Sequence, residues 1–262
     1  MKHLFLFKQY LRYRMKAMSA HGVHSPFVYD LIHSVLEDRR HFYAFDEIAQ
    51  LRQTLYQDQS LLNIEDFGAG SHSQNTKQRI VCDIARTAGR TDKFGRLLFR
   101  LVQHYGCKHI LELGTSVGLG TSYLGIANRE AHLTTIEGSP EIAARATKSF
   151  RQLKLDHIQQ VVGNFDRVFE DVLKSSPPID LLFIDGNHRQ EPTVRYFQQA
   201  LNHMTPDGMM IFDDIHWSPG MQAAWDEIKA HPSVTLSVDL FFIGIVWFRK
   251  EIKVKQDFVL KY

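Results

Sequence analysis

Cysteine is scarce in this chain: Cys82 and Cys107 are the two among 262 residues, and they do not form a C-x-x-C pair. Neither a disulfide framework nor a thiolate metal centre is therefore expected, and a reducing, cytoplasmic setting fits best. Long hydrophobic runs are also missing. No stretch approaches the roughly 18 apolar residues that read as a transmembrane helix. The apolar run Leu4 to Phe7 is shorter than the core of about 7 to 15 residues in a signal peptide. A clustered basic face is lacking too, for the formal net charge is +2, so a nucleic-acid partner is not expected.

What remains is the composition of an ordinary globular protein, 44% hydrophobic and 23% charged, able to bury a substantial core. The charge is uneven. Residues 1–105 hold 15 Lys/Arg against 10 Asp/Glu, and the rest of the chain holds 16 against 19. From Met1 to Met18 there is no acid, while Phe5, Tyr10, Arg12, Arg14 and Lys16 suit an amphipathic helix. Such a helix either docks on its own domain or meets a surface, a partner or a second copy of the chain.

Helical patterns dominate the first hundred residues. Ser25 and Pro26 mark a helix start, and that helix is expected to run to about Arg39. Further helices are expected at 45–57, 76–88 and 91–105, with a turn at Gly68 to Ser71. After Gly106 short β-rich runs alternate with helical segments, the pattern of repeated βαβ units. Strands are expected at 108–113, 132–137, 157–162, 179–185 and 207–213. A tightly connected pair at 234–240 and 242–249 should form an antiparallel hairpin at the sheet edge. The expected fold is thus α/β: a Rossmann-like, seven-stranded mixed sheet, last strand antiparallel, with helices on both faces. Residues 1–100 form a helical cap region and residues 101–262 the ligand-binding domain. The cap should cover the ligand site, with His21 to Phe27 and Gly68 to Ser71 as candidate substrate contacts.

The segment Glu112, Leu113, Gly114, Thr115, Ser116, Val117, Gly118, Leu119, Gly120, Thr121 takes a buried strand through a glycine-rich turn into a helix. Glycine there permits positive φ and close approach of a ligand. The spacing G-x-x-x-G-x-G differs from the dinucleotide pattern G-x-G-x-x-G. Glu137, followed by Gly138, ends the next strand, where a carboxylate can accept from two ribose hydroxyls. Gly163, Asn164 and Phe165 close the third strand and fall where an adenine could be bracketed. The fourth and fifth strands deliver Asp185, Gly186, Asn187, His188 and then Asp213, Asp214, Ile215, His216, Trp217 to the sheet's carboxyl edge. Helix starts near Pro192 and at Ser218–Pro219 leave these aspartates without a capping task. Hard carboxylate oxygens suit Mg²⁺, Ca²⁺ or Mn²⁺ better than zinc, and a metal at Asp185, Asp213 and Asp214 is left open.

These residues resemble the class I S-adenosylmethionine-dependent methyltransferases, and among them the catechol O-methyltransferase-like group, over about Leu101 to Lys250. Phe183 to His188 also resembles bacterial methyltransferase-like proteins with an Ile-Asp-Gly-x-His signature. The resemblance implies an enzyme that binds S-adenosylmethionine through Glu112, Gly114, Thr115, Ser116, Gly118, Thr121, Glu137, Gly138, Gly163, Asn164, Phe165 and Asp185. It implies a small acceptor, aromatic ones included, methylated on oxygen. In that group the positions of Asp185, Asp213 and Asp214 hold the cation, and a lysine base stands where this chain has His188. Here His188, with Asp185, becomes the candidate catalytic pair, and Asp214 replaces a customary asparagine. His216 and Trp217 are candidates for lining the acceptor pocket. A sensor or assembly protein that binds the same cofactor without catalysis is the alternative reading.

Overall fold

A computed structural model describes residues 2–65, 76–88 and 92–262; the turn at Gly68 to Ser71 lies outside the described residues. By contact the chain divides into two compact units, one of Asp38–Lys174 and one of Met1–Glu37 with Ser175–Tyr262.

In the Asp38–Lys174 unit the first helix is Tyr43–Gln57, here α3 because two helices precede it in the chain. Phe45, Ile48, Leu51 and Leu55 recur at helical spacing and are buried on one face. Strands β1 (Leu61–Glu65) and β2 (Thr76–Ile80) pair antiparallel, Leu61 opposite Ile80. The spacing predicts a helix from Thr76, but helix α4 (Val81–Ala88) begins only after this strand. Pairing with β1 overrides the local pattern, and that partner is invisible to periodicity. Helix α5 (Asp92–Tyr105) ends where Gly106 turns to φ 61 and the Cys107 amide reaches back to the Val102 carbonyl at 3.1 Å.

A run of βαβ units follows. Strands β3 (His109–Leu113), β4 (His132–Glu137) and β5 (Ile158–Val162) lie parallel, with Leu113 opposite Ile136 and Leu133 opposite Ile158. Helix α6 (Leu119–Ala127) joins the first two and is buried along its length, α7 (Pro140–Gln152) joins the next two, and α8 (Phe165–Ser175) leaves the third. Parallel neighbours need such crossovers, and the buried face of each helix covers the sheet.

The other unit begins with α1 (Lys2–Lys16) and α2 (Pro26–Leu31), which continues as a π-helical turn over Ile32–Leu36. This helical stretch stops at Leu36, before the Arg39 expected. It then supplies β6 (Ile179–Ile184), α9 (Gln190–Ala200), β7 (Met204–Asp213), α10 (Pro219–Ala230), β8 (Leu236–Asp239), β9 (Ile243–Trp247) and β10 (Gln256–Val259). Strands β6 and β7 are parallel, and β9 runs antiparallel to both β7 and β8. The expected hairpin is present but does not end the sheet. Strand β10 adds on parallel to β8, so among the described residues the larger sheet has eight strands and its last strand is not the antiparallel one. Four residues, two polar then two apolar, carry too little pattern to announce such an edge strand.

Helix α1 is docked on this unit. The Tyr13 hydroxyl donates to the Leu260 carbonyl at 2.6 Å, and Met18 exchanges backbone hydrogen bonds with Val259 and Lys261 at 2.8 and 3.0 Å. No helix among the described residues is long and apolar enough to cross a membrane.

The α5–α6 packing rests on Gly95, where a Cβ would stand 2.2 Å from Cε2 of Tyr123. Gly95→Ala is expected to cost about 1–3 kcal/mol through overpacking, read as a lower urea midpoint with an unchanged slope.

Candidate functional site

Two groups of residues carry the chemistry, one in each unit. In the Asp38–Lys174 unit the β3–α6 turn is built around a buried carboxylate. Glu112 points into the interior, where its Oε2 accepts from the hydroxyls of Thr121 at 2.5 Å and Thr135 at 2.6 Å. Thr115 in turn lies 2.6 Å from the Thr135 hydroxyl. A buried carboxylate needs such partners, and here they join strand β3, helix α6 and strand β4. The structure thus gives Glu112, Thr115 and Thr121 a part in shaping the turn.

The backbone of that turn is bent as the glycine spacing requires. Gly114 has φ 107 and Gly118 φ 87, and the intervening Ser116 also takes a positive φ of 49. A Cβ on Gly118 would approach Cε1 of Phe150 to 2.8 Å, so glycine here serves both dihedral and space. The Gly114 amide donates to the Ile136 carbonyl at 3.0 Å. From behind, the Ser149 hydroxyl donates to the Val117 carbonyl at 2.9 Å; Arg145 donates to Ser149 at 3.2 Å and to Asp58 at 2.9 Å.

Glu137 ends β4 between two turns. One carboxylate oxygen accepts from the Ser116 amide at 2.9 Å and the other from the Ser139 amide at 3.0 Å. Burial pushes its pKa above the ordinary carboxylate value; the amides of Ser139, Ser116 and Gly138 oppose that rise by stabilising the charged form. A carboxylate has about four acceptor directions, so three amides leave it acceptor capacity for a ligand hydroxyl. The Gly163 amide donates to the Glu137 carbonyl at 2.9 Å, which brings the β5 turn beside it. Asn164 caps α8 through its side chain, accepting from the Asp166 amide at 2.9 Å, and Phe165 is part-exposed next to it.

In the other unit, Asp185, His188 and Asp213 come together: one ligand atom from each lies within 4.8 Å of the others. Asp213 is buried at the end of β7, while Asp185 and His188 are partly exposed. The His188 Nε2 is 3.7 Å from the Asp185 carboxylate. This triplet overlaps the expected set of Asp185, Asp213 and Asp214 in two residues. Asp214 is not in this triplet and stands at φ 57 in the left-handed region, whereas His188 takes part. Two carboxylates and an imidazole fit a divalent ion such as Mn²⁺, with modest closure of the donors around it. The aspartates do not cap helices: α9 starts after Arg189, and α10 starts at Pro219 with the Ser218 hydroxyl accepting from the Met221 amide at 3.2 Å.

His216 departs from the expected pocket-lining role. It is buried, with Nδ1 against the Gln222 side chain and Nε2 2.8 Å from Asp239. Phe241 stacks on its ring at 5.4 Å. Trp217 is part-exposed. Phe27, from the N-terminal motif, packs edge-on against Trp247 at 5.4 Å. Thr135, Ser139 and Asp239 went unnoticed in the sequence. Thr135 lies opposite Glu112 in the β3–β4 ladder, so the ladder register alone could have found it.

Comparison with known proteins bears on the fold. Residues 111–215 match the model of a family described as a methyltransferase domain. A catechol O-methyltransferase of Niastella koreensis is 33% identical over 126 residues, 47% of this chain and 55% of that protein. The chain thus matches about half the length of this curated relative. Among solved structures, a methyltransferase of Podospora anserina bound to SAH aligns over 87% of this chain and 98% of its own, with TM-score 0.58 and 15% identity. An O-methyltransferase of Bacillus cereus in complex with SAH aligns over 84% and 97%, with TM-score 0.54 and 20% identity. The fold is therefore the Rossmann-like α/β fold of these methyltransferases.

The hydroxyl clamp predicts a measurable cost. Thr135→Val removes one donor from the buried Glu112 carboxylate and should destabilise the protein by about 1–3 kcal/mol. Chemical denaturation would check this, and an unchanged midpoint would refute the clamp.

Proposed function

We propose that the protein is an S-adenosylmethionine-dependent methyltransferase that methylates an oxygen of a small acceptor. One observation supports this most: Glu137 is held between the glycine turn and the turn after β4 by the Ser116 and Ser139 amides, and in this reading its carboxylate receives the ribose hydroxyls. The left-handed backbone at Gly114, Ser116 and Gly118 opens the same turn to a ligand. In this reading Gly163, Asn164 and Phe165 border the adenine.

Methyl transfer from a sulfonium needs an aligned, deprotonated acceptor more than it needs activation of the donor. A phenolic hydroxyl, with pKa about 10, stays protonated at neutral pH. His188 takes that proton, and Asp185 at 3.7 Å steadies the resulting imidazolium. A divalent cation, if bound, would instead be held by Asp185, His188 and Asp213 and would supply positive charge for the acceptor oxyanion, in place of His188 as base.

The cofactor half is tested by calorimetric titration with S-adenosylmethionine. Glu137→Ala should weaken binding by at least tenfold, while equal affinity would overturn the assignment. The pH dependence follows from the sign of the shift. The ionised carboxylate accepts the hydroxyls, and burial holds its pKa above the ordinary carboxylate range; affinity should therefore fall on acidification, beginning at a higher pH than an ordinary glutamate would give, and Glu137→Gln should flatten the profile.

The catalytic half is tested separately. On a panel of phenolic acceptors His188→Gln should lower kcat about 10²- to 10⁴-fold and leave cofactor affinity unchanged. Asp213→Ala should abolish Mn²⁺ binding measured calorimetrically in the absence of acceptor; retained Mn²⁺ binding would remove Asp213 from the cation site.

A further inference from the structure

Helix α1 presents two unlike faces. Its inner face, with Gln9 and Tyr13 one turn apart, is buried against its own unit, where Tyr13 bonds the Leu260 carbonyl and packs on Phe241. On the opposite face Leu4, Phe7, Leu11 and Met15 recur at spacings of three, four and four, which aligns them in one stripe. They are 61, 57, 45 and 80% exposed. Single exposed apolar residues are ordinary, but a continuous stripe along about three turns needs a partner.

The charges beside the stripe say what kind. Lys8, Arg12 and Lys16 form the adjacent row, one per turn, and Arg14 lies on the other flank; all four are exposed. The helix contains no acid, and the first acidic residue of the chain is Asp30. A second copy packed stripe to stripe would bring these cations against one another with no carboxylate between them. A nucleic acid would satisfy the cations and leave the apolar row in water. An anionic lipid surface satisfies both, since the apolar row enters the acyl boundary while the flanking cations stay among the phosphates.

We propose that α1 is an interfacial anchor that holds the protein on anionic phospholipid membranes, with Leu4, Phe7, Leu11 and Met15 inserted and Lys8, Arg12, Arg14 and Lys16 at the headgroups. Because Gln9 and Tyr13 fasten the helix to the fold, no unfolding is required. The anchor brings the whole chain to the lipid surface, where an apolar acceptor would partition.

The test is vesicle flotation of the full-length protein, with phosphatidylcholine alone and with phosphatidylglycerol added. Flotation with the anionic vesicles and little with the neutral ones is expected, and binding should weaken as salt is raised. Lys8→Glu or Arg12→Glu should each lower the partition coefficient at least about fivefold, the equivalent of about 1 kcal/mol per cation lost at the surface. Leu11→Ser combined with Phe7→Ser should lower it at least tenfold. Since these side chains face solvent, thermal melting of the variants should match the parent; the salt dependence of the parent tests the idea should a variant melt early. Absence of flotation, equal binding to neutral vesicles or variants that bind like the parent would overturn the proposal. So would sedimentation showing a dimer that Leu11→Ser dissociates without any vesicle binding.

Discussion

A carboxylate buried at the end of a strand has to be hydrogen-bonded, and Glu112 meets that demand with hydroxyls from an adjacent strand and from the next helix. Much of the cradle follows from this. Thr121 cannot satisfy Glu112 unless α6 starts where it does, and Thr135 cannot unless β4 pairs in its observed register. That register puts Glu137 at the strand end, level with the turn whose Ser116 amide it accepts. An internal hydrogen-bond requirement thus fixes the distance between the glycine turn and the acid that is proposed to bind ribose.

The two carboxylates of this region differ in a way that suits different tasks. Glu112 is buried and engaged by side-chain hydroxyls, so it holds the turn's shape. Glu137 is held by backbone amides, and its pKa is raised by burial against their opposition. A group whose charged form is costly to the apo fold gains from a ligand that donates hydrogen bonds to it, which is the usual condition of a binding residue. The second unit repeats the contrast. His216 has both ring nitrogens engaged in the interior, whereas His188 lies in a partly exposed cluster with Asp185 and Asp213. Two histidines that look alike in the sequence are set apart by burial and by partners.

How far the fold was legible depended on the length scale of the signal. The βαβ rhythm after Gly106 located the buried strands to within a few residues, because a strand covered on both faces must be apolar along its length. The β1–β2 hairpin and β10 escaped, for both are short and are stabilised by partners distant in sequence. Asp214 follows Asp213 in the strand-end motif but itself takes a left-handed φ of 57, a turn that no periodicity announces.

The sequence by itself determined the class of fold, the glycine turn, Glu137 as the acid of the second strand, and the delivery of Asp185, His188, Asp213, Asp214 and His216 to the carboxyl edge of the strands. These follow from local rules: apolar runs, φ preferences, and the placing of strand ends along one sheet edge. Tertiary structure alone decided which of the polar groups bond one another and which stay available. It engaged His216, clamped Glu112, set Asp214 outside the cluster and turned the apolar row of α1 outward. The physical reason is that hydrogen-bond partners and burial are set by neighbours tens to hundreds of residues away, as in the bond from Tyr13 to Leu260, and a linear pattern carries no record of them.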